Sequence, residues 1–394
     1  MNIQFATTIY LLLLISLGYI ATDIYLPSLP AMGSFFQAEN HEVQRTLFFY
    51  LISFSCAPLI FGPLSDHVGR KKIILGGISL ALVATLGCFF AQSIAGFIAC
   101  QCIQGIGTGA VLISGRASVP DLFEGKTLAK QMSFMTMLMP LFLSIAPAVG
   151  GILQQTFQWR AITLFLLLWM LFLCLWTLFR QESLKNKSTS PFSQIFSHYR
   201  THLKNPVFLL YGVNFILPAL GLFAYMTVSP FLFQKTLGLS PLEYGSLALY
   251  VGGTILITGS INLKLLNHFS TVQILYGGAF LICLSGMLLL YFHWMGLVTT
   301  WSVLGPSLLF FTCMPLCVSN AAAKAFSLVR SHFGAASALL SSLQFLVGAL
   351  GSFISSLFSY ENALVLAVFF LCIGVLSLLT LNLATKMEKR IAYL

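Results

Sequence analysis

The sequence predicts an all-α polytopic membrane protein: twelve transmembrane helices in two six-helix bundles, with both termini cytoplasmic. Composition, the length of the apolar runs and one central polar interruption lead to that fold class. Of 394 residues, 58% are hydrophobic and 8% charged, against about 45–50% apolar and about 25% charged in soluble domains. Mean hydropathy is +0.92. Too few charged side chains exist to cover so long a chain in water, and disorder needs the opposite composition. Barrel strands are alternating segments of about ten residues, whereas a spanning helix needs about twenty mostly apolar ones. The runs here are of the second kind.

The first run, 6–29, has no Lys or Arg before it and continues into Asp23 and Pro27 without a small-residue cleavage pattern, so it reads as a span and not as a secretion signal. Runs at 44–64 and 73–93 flank a tight, Gly-containing joint, and those at 95–115 and 131–155 flank Arg116 to Lys130. The run 160–179 completes the first six. Gln181 to Asn205, QESLKNKSTSPFSQIFSHYRTHLKN, is the longest polar interruption. Runs at 207–231, 244–263, 272–292, 297–319, 335–358 and 362–384 follow it. The expected organisation is an N-terminal bundle 1–180, a cytoplasmic linker 181–206 and a C-terminal bundle 207–394. Parallel-repeat transporters show this division, with substrate near the midplane where the halves meet. GPLSDHVGRKK after the second run is faintly echoed by GSINLKLLNHF after the eighth, where the Gly recurs and the Asp does not.

Cytoplasmic loops carry an excess of Lys and Arg. With the N-terminus inside, 17 of the 20 basic residues fall on the cytoplasmic side, leaving Arg45, Arg160 and Lys235 outside. The formal charge of +10 is therefore a topology signal, and no nucleic-acid partner is expected. The basic loops are placed to touch anionic inner-leaflet lipid. All nine cysteines fall in expected spans, where free Cys behaves as a small hydrophobe. Cys313 and Cys317 lie one helical turn apart without a His or further Cys, so packing is expected there and no metal. No cofactor is implied.

Gly62-Pro63-Leu64-Ser65-Asp66-His67-Val68-Gly69-Arg70-Lys71-Lys72 is the strongest local signal. Small residues allow a tight turn, Asp66 is placed to accept hydrogen bonds at a helix N-terminus, and Arg70 is placed to pair with a carboxylate from another loop. The segment resembles the loop motif G-x-L-x-D-x-x-G-R-K/R-x of the major facilitator superfamily, in its usual place after the second of twelve spans. Asp23-Ile-Tyr-Leu-Pro-Ser-Leu-Pro30, Arg116-Ala-Ser-Val-Pro-Asp121, Ser319-Asn320-Ala-Ala-Ala and Gly334-Ala-Ala-Ser-Ala-Leu resemble the Bcr/CflA drug-resistance branch. Ala146-Pro147-Ala148-Val149-Gly150-Gly151 looks like that family's antiporter motif, with Ala146 where Gly is usual. Pro removes a helix hydrogen bond and the small residues allow close approach, so the segment can bend and seal against a partner helix. Gln101-Cys-Ile-Gln104-Gly105 resembles the family's R-x-x-Q-G, but Gln101 stands at the Arg position and cannot do its electrostatic work. Gly105 and Gly109 read as close helix packing.

Of the ten carboxylates, only Asp23 falls within an expected span. An ionised Asp in a spanning helix costs about 2.5–3.5 kcal/mol on insertion scales, so an intramembrane acid is by default a functional candidate. Asp23 is expected to face a central cavity and couple protons to transport, with Gln101 as a hydrogen-bond partner. Its alternative is a capping role at the interface before Leu26-Pro27. Tyr19, Asp23, Tyr50, Gln101, Gln104, Asn214, Tyr225, Tyr250, Asn320 and Gln344 are the candidate substrate-binding residues. Gly62, Asp66, Gly69, Arg70, Arg116 and Asp121 are expected to form a conformational latch. The resemblance implies a monomeric transporter of the bacterial inner membrane, not an enzyme, that exports small amphipathic molecules against protons. The other reading is a dedicated siderophore or metabolite carrier of the same fold, exporting, importing or working as a uniporter. No HExxH and no mid-span His suggest membrane enzymology.

Overall fold

The structure, a computed structural model, describes residues 3–184, 199–329, 333–358 and 363–392. Lys185 and Lys187, with most of the expected linker, and Arg330 and Glu361 lie outside the described residues. Twelve of the described helices are long and apolar enough to cross a membrane: α1 (Gln4–Phe36), α2 (Asn40–Val68), α3 (Arg70–Phe90), α4 (Ile94–Leu122), α5 (Gly125–Phe157), α6 (Trp159–Leu178), α7 (Pro206–Thr236), α8 (Pro241–Leu265), α9 (Thr271–Trp294), α10 (Thr300–Ser327), α11 (Phe333–Ser356) and α12 (Leu364–Arg390). Each overlaps one expected run, and no strand occurs among the described residues.

Helix ends follow the local chemistry. α2 opens on a capping box in which Glu42 accepts from the Glu39 N–H at 3.0 Å. Ser270 and Gln273 do the same for α9, and Thr299 and Ser302 for α10. The joint expected as a loop over 62–72 is almost wholly helical: α2 runs through Asp66 to Val68 and α3 starts at Arg70. Gly69 alone makes the turn, at φ 117°, a conformation that L side chains rarely adopt.

The chain forms two compact units. The first comprises Met1–Pro191 and Leu239–Gly252, the second Phe192–Gly238 and Gly253–Leu394. The front of α8 thus packs with the first unit, on α5, for a reason given below. Within the first unit α4 packs on α2, α3 and α1, and α3 also on α6. Gly105 and Gly109 of α4 lie directly against the α2 backbone at Tyr50 and Phe54. Within the second unit α7 packs on α11 and α12, and α9 on α12. Its core is aromatic: Phe310 of α10 and Phe370 of α12 stack at 3.9 Å with planes 6° apart, and both are fully buried.

Many large apolar side chains are exposed, as lipid-facing positions must be, among them Phe280 at 56%. Phe370→Ala is expected to cost about 3–5 kcal/mol and lower the melting temperature of the detergent-solubilised protein. Phe280→Ala should leave it unchanged in the same measurement.

Candidate transport site

α1 is not one continuous helix. It is α-helical over Ile3–Asp23, 3-10 over Leu26–Ser28 and α-helical again over Leu29–Phe36. Pro27 has no N–H for the Asp23 carbonyl and Pro30 none for that of Leu26, so the regular ladder fails where DIYLPSLP begins. Short local bonds bridge the gap, Tyr25 N–H to Thr22 at 3.3 Å and Ser28 N–H to Tyr25 at 2.8 Å. Asp23 sits on this break, 1% exposed, and its Oδ2 has no hydrogen-bond partner. Ser28 Oγ, five residues on, is likewise buried and unpartnered. No cation pairs with Asp23 among the described residues.

The candidates around Asp23 separate by what their polar atoms already do. Gln101 is buried and lines a small cavity of about 20 Å³ with Thr22, Tyr25, Thr46 and Phe97, room for about one water. It makes no hydrogen bond to Asp23, contrary to expectation: the cavity it lines takes in Thr22 and Tyr25 on either side of Asp23 but not Asp23 itself. Tyr50 is committed to structure: its hydroxyl donates to the Gly18 carbonyl at 2.8 Å and lies 2.7 Å from Thr108 Oγ1. Gln104 donates to Thr85 at 2.7 Å, leaving its buried Oε1 without a partner. Tyr19 accepts from Arg116 at 3.1 Å.

The antiporter-like segment of α5 is wedged between two backbones. A side chain at Gly150 would collide with the carbonyl of Ile24, the residue next to Asp23. One at Gly151 would strike the Pro241 carbonyl and Leu242 Cα of α8, and one at Gly245 of α8 would strike the Pro147 carbonyl. This mutual absence of side chains brings the front of α8 into the first unit. Pro147, Gly150 and Gly151 are buried within the contact.

The charged network lies elsewhere in that unit. Arg70, 7% exposed, pairs with Asp66 at 2.6 Å and with Asp121 at 3.0 Å, and also donates to Ser65. Asp66 sits in the last turn of α2 and so does not serve a helix N-terminus. That task falls to Glu182, missed in the sequence because it follows the sixth apolar run, in the polar interruption. Its carboxylate accepts from the N–H groups of Arg70 at 2.9 Å and Lys71 at 3.2 Å, and occupies the space beside Gly69 that a Cβ would need. Arg116, expected in this latch, is exposed and turned to Tyr19 instead. Gly62 lies within α2 with no tight neighbour.

In the second unit, Asn214 donates to Thr380 of α12 at 2.9 Å and Asn320 to Asn262 of α8 at 2.8 Å, so both tie helices together. Asn320 directly follows a π-helical stretch, Met314–Val318. Tyr225 is buried edge-on against Phe311, Tyr250 is half exposed and Gln344 partly buried. Sequence reading also missed an ion pair between Lys324 of α10 and Glu388 of α12 at 2.9 Å, to which Tyr211 donates at 2.8 Å. The opposite charges at two helix ends were its only trace in the sequence. Cys313 and Cys317 are buried together, and no group of three metal-ligating side chains occurs among the described residues.

Comparison with known proteins places this geometry in context. A family model described as Major Facilitator Superfamily matches residues 11–352. The chain is 28% identical over 388 residues to multidrug resistance protein D of Escherichia coli, covering 96% of this chain and 95% of that one. It is 28% identical over 365 residues to a bicyclomycin resistance protein homolog of Haemophilus influenzae, covering 91% of each. The fold resembles the xylose transporter XylE from E. coli, in a partially occluded inward-open conformation, with a TM-score of 0.74 at 14% identity over 97% of this chain and 99% of that one. It also resembles the human organic anion transporter MFSD10, with a TM-score of 0.69 at 20% identity over 98% and 100% of the two chains.

Gly150→Val is expected to push the Ile24 carbonyl away and to destabilise by about 1–3 kcal/mol, read as a lower melting temperature. Ala146→Gly, which adds no atoms to the contact, should melt within about 1 kcal/mol of the parent.

Proposed function

Because the chain belongs to the major facilitator superfamily, we propose that it is a proton-coupled exporter of small amphipathic molecules, drugs or metabolites, working by alternating access. The protein is a transporter and not an enzyme, and it is a multi-pass protein of the bacterial inner membrane. Relatives named for multidrug and bicyclomycin resistance support efflux as the direction. The 17-to-3 distribution of basic residues supports cytoplasmic termini.

The observation that carries the coupling is Asp23: a buried carboxyl on a helix break, with one oxygen unpartnered and no cation beside it. With its proton the group is neutral; without it, a full charge stands where apolar surroundings make charge costly. A broken helix at membrane depth is also where transporters hold ions. In this reading Asp23 takes a proton from the periplasm and releases it to the cytoplasm as substrate leaves the other way. The consequence reaches the gate through backbone contact, since Ile24 rests on Gly150 and Gly151 on the front of α8. Arg70, held between Asp66 and Asp121, biases which conformation is populated.

Gln101 favours a second reading. A glutamine at the family's Arg position supplies no charge to Asp23, and a uniporting metabolite carrier fits that as well.

Proteoliposomes with an imposed pH gradient and a trapped pH dye separate the two. Substrate-dependent proton movement is expected in the parent protein and should be absent in Asp23→Asn. Substrate flux without proton movement in the parent overturns coupling, and an Asp23→Asn variant with unchanged pH dependence overturns the role of that residue. Asp66→Asn breaks a half-exposed ion pair worth about 1 kcal/mol. It should lower turnover about fivefold and leave KM unchanged; a pure KM effect would remove the latch from the mechanism.

A further inference from the structure

A second cavity of the first unit, about 380 Å³, lies at the ends of α1, α3, α4 and α6. Thr7 in its wall is sixteen residues of chain from Asp23, about 24 Å if all were helical, so this is not the site described above. Two of its cations have no carboxylate partner among the described residues. Arg180 donates from Nη1 to Thr7 at 3.1 Å and lies over the rings of Tyr10 at 5.0 Å and Trp176 at 5.8 Å, which fix its plane. Its Nε is buried and has no hydrogen-bond partner. Lys71 Nζ donates to the Leu178 carbonyl at 2.8 Å.

The other charges on this wall are already spent. Arg70 is neutralised by Asp66 and Asp121, and the Glu182 carboxylate serves the backbone N–H groups at the start of α3. A partly buried cation is costly unless an anion pairs with it. The rim is apolar and open: Phe179 is 88% exposed and Leu122 45%. Cations beneath an apolar rim at the ends of spanning helices match a phosphate joined to acyl chains.

We infer that this cavity binds the phosphate of an anionic phospholipid headgroup, with Arg180 and Lys71 as its ligands and Phe179 and Leu122 against the lipid's apolar part. Lys71 follows Arg70 directly, so an occupant ties α1, α3 and α6 together beside the charged network.

Native mass spectrometry of the full-length protein from nanodiscs of mixed phosphatidylglycerol and phosphatidylcholine tests this without measuring transport. The parent should retain phosphatidylglycerol preferentially, and Lys71→Gln/Arg180→Gln should retain it at least about tenfold less. The charge-conserving Lys71→Arg/Arg180→Lys guards against misfolding and should keep the preference, as should Lys386→Gln/Lys389→Gln at the end of α12. Equal retention of both lipids by the parent, or a preference untouched in Lys71→Gln/Arg180→Gln, overturns the site. Thermal stabilisation by millimolar inorganic phosphate without any lipid preference overturns the lipid assignment in favour of a soluble anion.

Discussion

Within a bilayer, each backbone N–H and C=O has to be satisfied inside the protein, because no water reaches it there. Pro27 and Pro30 break that rule in α1, and the structure is arranged around the breach. The ladder stops at Asp23, a single 3-10 turn carries the chain over the gap, and a carboxyl is left buried where the helix is least able to satisfy it. The two prolines therefore free the polar backbone of the candidate site, and Asp23 supplies its titratable side chain.

Beside the cavity of Thr22, Thr46 and Gln101, small residues pack against the break. Gly150 meets the Ile24 carbonyl, and Gly151 with Gly245 lets α5 and α8 touch backbone to backbone. In lipid, helices gain nothing from hiding apolar side chains from one another, so close backbone approach supplies the packing energy. Such a contact is sensitive to displacements smaller than a methyl group. In the proposed coupling, a charge change at Asp23 has a mechanical route to α8 through Ile24, Gly150 and Gly151.

Among the described residues, paired charges lie at helix ends. Arg70 with Asp66 and Asp121 in the first unit, and Lys324 with Glu388 and Tyr211 in the second, each join the ends of helices far apart in sequence. Arg180 and Lys71 differ in lacking such partners among the described residues. Tyr50, Asn214 and Asn320 show the converse for the mid-membrane polar residues: with their hydrogen bonds made to neighbouring helices, they act as fasteners.

Twelve spans were legible because each is a run of about twenty apolar residues, a local property that lipid enforces one helix at a time. Asp23 was legible for the same reason, as a charge where the pattern allows none. The joint at 62–72 was misread as a loop because its polar composition marks water, and a helix end in water is equally polar; only the geometry of Gly69 shows how short the turn is. Glu182, Glu388 and the orientation of Arg116 were not legible, since partners 112, 64 and 97 residues away are set by how helices pack and leave no mark on local composition. Sequence by itself determined the solvent, the elements and the isolated acid. Tertiary structure decided which polar groups were already satisfied, because hydrogen bonding in lipid is shared between helices while hydropathy belongs to each one alone.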